Sequence, residues 1–126
     1  MTEHQRMTLL RIALWVAGLV SLSLYPLMLL WPSGWAWHSG YSDYPMMLVG
    51  VYATLGVFLI RAARHPAQHA SLIWFAVWSS VVHGAIMAVQ SFMHEGRMGH
   101  LMGDVPALLI AAAVLAWLAP RRSAQV

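Results

Sequence analysis

Apolar residues gather into four stretches separated by three short polar breaks, and each stretch is long enough for a membrane crossing. A helix rises about 1.5 Å per residue against a hydrocarbon core of about 30 Å, so the pattern predicts transmembrane helices at about 8–31, 44–61, 70–93 and 104–119. The first follows a polar lead, Met1–Met7, as a signal peptide would. Its apolar region is much longer than 7–15 residues, however, and it ends in Trp31-Pro32-Ser33-Gly34-Trp35 without a small-residue cleavage pattern. It is therefore expected to be a retained helix. Pro26 lacks a backbone donor and predicts a kink near Tyr25-Pro26. Trp31, Trp35 and Trp37 predict an interfacial belt.

The third span differs from the others. At 100° per residue, Ser79, His83, Met87, Gln90 and His94 fall within about 60° of one another. Ser80, Gly84 and Ala88 form an adjoining stripe of small residues, the kind that lets helices approach closely. One side of this helix is thus polar and its neighbour small, which points it into a bundle. In the second span Gly50, Ala53 and Gly56 are small positions, and Tyr52 and Thr54 are polar. Before the fourth span Asp104 stands where an N-cap belongs, with Pro106 in the first turn.

Composition agrees with this pattern. The 126 residues are 60% hydrophobic and 9% charged, against about 25% charged in soluble domains. The fold class expected is an all-α membrane protein, an up-down four-helix transmembrane bundle forming one domain over residues 1–126. Cysteine is absent, which excludes disulfides and thiolate metal sites. All the positive charge is arginine, and it flanks spans instead of gathering on one face, so nucleic acid is not an expected partner. Arg6, Arg11, Arg61, Arg64, Arg121 and Arg122 share one side and Arg97 stands alone on the other. Excess arginine marks the cytoplasmic side. Both termini are therefore expected in the cytoplasm, and the chain as a multi-pass protein of the cell inner membrane.

Candidate chemistry is confined to two places. His83 lies near the middle of the third span. A charge there costs roughly 2.5–3.5 kcal/mol on insertion scales, so a neutral imidazole is expected. It serves either as a relay or ligand-orienting group, or simply as a partner for a hydroxyl or carbonyl across the bundle. A haem would need a second axial histidine at that depth, and no other span has one. The second place is the outer loop, with His94, His100 and Asp104 among Met93, Met98 and Met102. Imidazole and thioether suit copper, and imidazole with carboxylate suits zinc. The competing reading makes Asp104 a helix cap, Glu95 and Arg97 a solvated pair, and the methionines gap-fillers.

Three stretches resemble a family of small, uncharacterised bacterial integral membrane proteins. They are Tyr44–Phe58 (YPMMLVGVYATLGVF), Ser71–His83 (SLIWFAVWSSVVH) and Gly99–Leu108 (GHLMGDVPAL). The resemblance covers nearly the whole chain from Tyr25-Pro26 onward. It implies a four-helix membrane domain of unknown function, and it brings no catalytic residues to carry over.

The leading expectation is a non-catalytic binding or accessory protein whose partner is first the lipid bilayer. It would carry an outward-facing polar pocket. Tyr25, Tyr52, His83 and Gln90 would hold a small molecule, and His94, His100 and Asp104 a metal ion such as copper or zinc. Two alternatives stand beside it. One is a homo-oligomeric transporter or proton-coupled channel titrating at His83, alone or in a larger membrane complex. The other is a membrane enzyme using His83 or the outer acid–histidine cluster.

Overall fold

The computed structural model describes residues 1–40 and 42–120. The expectations for Arg121, Arg122 and the tail to Val126 lie outside them. The described residues are helical, with no strand. In order they form α1 (Glu3–Leu22), α2 (Leu24–Leu30), α3 (Pro32–Trp35), α4 (Asp43–Ala62), α5 (Ala70–Met93) and α6 (Asp104–Leu118). Short 3₁₀ turns at Pro66–His69 and Met98–Met102 lead into α5 and α6. Four segments, Glu3–Leu22, Asp43–Ala62, Pro66–Met93 and Met98–Leu118, are long and apolar enough to cross a membrane. The chain is therefore a four-helix membrane protein.

The first predicted helix is interrupted where proline chemistry requires it. Pro26 cannot donate to the carbonyl of Leu22, and its ring crowds that carbonyl. The chain breaks at Ser23, one turn before the proline, and restarts as α2. At its other end α1 begins with a capping box. The Thr2 hydroxyl accepts from the Gln5 amide, and the Gln5 side chain accepts from the Thr2 amide.

Helices in a bilayer gain little from leaving lipid, so close packing at small residues must hold them. This chain packs in two pairs. α1 crosses α4 where Gly18 meets Gly56: a Cβ on Gly18 would lie 2.8 Å from the Gly56 carbonyl oxygen, and one on Gly56 2.6 Å from that of Gly18. α5 crosses α6 where Gly84 meets Leu108 and Leu109, at 3.4 and 3.0 Å from a Cβ on the glycine.

The two pairs join at the end holding the N-terminus and the end of α6. The main buried cluster there comprises Leu10 and Leu14 of α1, Leu59 and Ala62 of α4, Ile73, Ala76 and Val77 of α5, and Leu115 and Leu118 of α6. We call this the closed end. Arg6 fastens it. This side chain is 8% exposed, and its Nη2 donates to the carbonyls of Trp117 (3.3 Å) and Ala119, which α6 leaves unpaired at its C-terminus. Arg6→Met keeps the stem and loses both charge-assisted bonds. It is expected to cost about 2 kcal/mol, measured as a lower midpoint of thermal unfolding in detergent; an unchanged midpoint would show that the clamp adds nothing.

Candidate functional site

Toward the other end the two helix pairs diverge, and a cavity of about 750 Å³ opens between them. All four long helices line it. Its closed-end floor includes Leu59, Ala76, Leu115 and Leu118, and its open-end rim holds Trp35, Trp37, Pro45, Gln90 and Asp104. The walls are almost wholly apolar, with polar groups confined to the rim and a few points between. Val16 and Val20 of α1, and Ile110 and Val114 of α6, line the cavity and are also exposed. The side between α1 and α6 is thus open, in the direction of the bilayer core.

At mid-depth Tyr52 of α4 and His83 of α5 meet across the cavity wall. The Tyr52 hydroxyl and His83 Nδ1 share a hydrogen bond, and the rings lie 5.6 Å apart at 38°. His83 Nε2 bonds to no described residue. Both residues, expected from the sequence as ligand-binding candidates, line the cavity side by side. Gln90 also lines it, nearer the rim, with an exposed side chain. Tyr25 does not: on α2, beyond the break at Ser23, it is 45% exposed and forms no part of the wall. The kink that Pro26 imposes carries its ring away from the cleft.

The rim is built by a cluster only partly visible in the sequence. Trp37 Nε1 donates to Asp104 Oδ2 at 2.6 Å. His100 Nδ1 lies 3.0 Å from both carboxylate oxygens of Asp104, and because a carboxylate only accepts, the Nδ1 proton lies between them. The Trp37 ring stacks on His100 with centroids 4.0 Å apart, and the Arg97 guanidinium sits 5.2 Å from the Trp37 ring centre. Gly99 and Gly103 permit this assembly. A Cβ on either would collide with the backbone carbonyl of Ser33 or Gly34, so α3 lies directly on the 3₁₀ turn before α6. Trp35 completes the rim. Its Nε1 is buried without a hydrogen-bond partner among the described residues.

Several expectations change here. Asp104 is the first residue of α6, after Gly103 as N-cap, and no side chain caps the helix. Its carboxylate turns instead to Trp37 and His100. Arg97 covers Trp37, and no ion pair with Glu95 forms. Trp31 is exposed as a belt residue should be, but Trp35 and Trp37 fold inward. His94 does not join His100 and Asp104: it is exposed, with Nδ1 bonded to the Gln90 carbonyl of its own helix. Met93, Met98 and Met102 are likewise exposed. No group of three or more His, Asp or Glu among the described residues is placed to hold a metal ion. The His94, His100 and Asp104 set is therefore not assembled: α5 ends at Met93, and the chain turns at Gly96, with φ 82°, before the 3₁₀ turn begins.

The chain belongs to a family of unknown function, DUF6632, whose family model matches residues 5–125. No curated protein and no solved structure matches it.

Proposed function

We propose that this member of the DUF6632 family is a non-catalytic binding protein that takes a hydrophobic small molecule from the bilayer into the cleft between its helix pairs. The observation that carries this reading is the cavity itself. Ligand sites typically enclose 300–1,000 Å³ of mostly apolar wall with a few placed polar groups, and the cleft has about 750 Å³ with Tyr52, His83 and Gln90 on it. The floor below His83 is apolar, formed by residues such as Leu59, Leu115 and Leu118, which favours holding a molecule over conducting an ion.

The proposal includes an orientation. Arg6, Arg11, Arg61 and Arg64 support a reading with both termini in the cytoplasm of a cell with an inner membrane and the Trp37–Asp104 rim on the opposite side. Because the chain has no cysteine, single substitutions at exposed positions report this directly. A membrane-impermeant maleimide added to intact cells is expected to modify Ser39→Cys and to leave Gln68→Cys untouched until the cells are lysed; the reverse pattern would invert the topology.

A photoactivatable long-chain hydrocarbon bearing a diazirine tests the binding reading in lipid nanodiscs. The label should appear on Leu55, Met87 and Ala111 inside the cleft and saturate with probe concentration. Label restricted to outward residues such as Phe75, Trp78 and Phe92, rising linearly with probe, would overturn it.

A further inference from the structure

We propose that the molecule held in the cleft is a neutral long-chain amphiphile whose single hydroxyl or carbonyl oxygen is bound at mid-depth by the Tyr52–His83 pair. This rests on the cleft being a binding site, and goes further by naming what the site selects. The pair has two tautomeric arrangements. If the Tyr52 hydroxyl donates to Nδ1, the His83 Nε2–H is a free donor. If Nδ1–H donates to the Tyr52 oxygen, the hydroxyl is the free donor and Nε2 a free acceptor. Either way, one donor and at least one acceptor remain for a ligand, and neither arrangement carries charge. A ketone or quinone oxygen takes the donor; a hydroxyl takes the donor or the acceptor.

Charge and depth exclude the common lipid headgroups. Among the described residues no arginine lines the cleft, and the chain has no lysine, so a phosphate or carboxylate meets no arginine or lysine on these walls. Among the described residues the only carboxylic acid on the wall is Asp104, and Trp37 and His100 already occupy its oxygens at the rim. A headgroup drawn to mid-span must also shed its water, which a charged group does at far greater cost than an alcohol or ketone. The opening between α1 and α6 admits such a molecule sideways, chain and head together, from the lipid.

The test is competition against the photoactivatable hydrocarbon in nanodiscs by a chain-matched series: hexadecane, hexadecanol, 2-hexadecanone, hexadecanoate and hexadecyl phosphate. Hexadecanol and 2-hexadecanone are expected to displace the label at least about tenfold more effectively than hexadecane, a preference of about 1.4 kcal/mol. The two anions should compete no better than hexadecane. Removing both partners, in Tyr52→Phe/His83→Leu, should bring hexadecanol and 2-hexadecanone down to the hexadecane level while labelling by the hydrocarbon stays unchanged, which also shows that the variant folds. Equal competition by all five, or preference for an anion, would overturn the neutral-head assignment and leave the cleft a binding site. Loss of the preference in Trp35→Phe but not in Tyr52→Phe/His83→Leu would move the oxygen to the rim and overturn its placement. Absence of saturable labelling altogether would instead defeat the binding reading on which this one rests.

Discussion

Gly56→Leu is expected to part α1 from α4 and to destabilise the protein more than any surface change. The obstacle is backbone: even a Cβ on Gly56 would lie 2.6 Å from the Gly18 carbonyl oxygen and 3.2 Å from the Leu22 amide nitrogen. Leucine adds three more carbons, so the helices must separate by more than a side-chain adjustment. Overpacking costs roughly 1–3 kcal/mol in cores that can relax, and here the yielding atoms belong to a helix. In a bilayer the loss is not offset by a hydrophobic force between the helices, because they associate through close contact. A loss of about 3 kcal/mol or more is expected in unfolding from mixed micelles. Gly50→Ala is the control. It lies on the same helix with nothing within 4 Å of a Cβ, so alanine's better helix propensity should make that change neutral or stabilising by up to about 1 kcal/mol. Equal effects at the two positions would mean that the Gly18–Gly56 crossing does not hold the pair together.

Ala111→Phe is expected to abolish labelling by the photoactivatable hydrocarbon, by at least tenfold, while leaving stability intact or raised. Ala111 lies on α6 and lines the cleft. A phenyl ring in a packed core forces off-rotamer neighbours and costs stability. The same ring entering open space gains dispersion contacts and loses none. Stability therefore discriminates between the two descriptions of the same position. Retained stability with lost labelling identifies an occupied cleft. Lost stability would mean that the helix pairs already pack tightly at this level.

The four spans were legible because their signal is length and composition, which no tertiary contact can override. Their ends were found to within a residue or two at α4, α5 and α6, where Pro45, the 3₁₀ turn at Pro66 and Pro106 punctuate the chain. The pairing of His83 with Tyr52 was half legible. The wheel put His83 on an inward face, but nothing in the sequence sets the register of α4 against α5, so its partner could not be named. The rim was misread for a related reason. Tryptophan near a span end has two uses, in the headgroup layer or as an amphipathic wall with one donor, and only the backbone contact of Gly34 with Gly103 decides between them. That contact joins residues 69 positions apart. Asp104 was assigned to a cap because capping is local; of its two partners His100 is four residues away, but Trp37, 67 residues away, could not be read from the sequence. The two glycines four apart in Gly99–Gly103 were the available signal. They mark a backbone approach, although they do not say what approaches.

Native mass spectrometry of the protein released from nanodiscs loaded with hexadecanol tests the central claim most directly, because it counts molecules per chain. One retained hexadecanol on the wild-type chain, absent from Ala111→Phe, is the predicted result. A ladder of adducts that is the same in both proteins would contradict it, since molecules adhering to the outer apolar faces would be indistinguishable from any held between the helices.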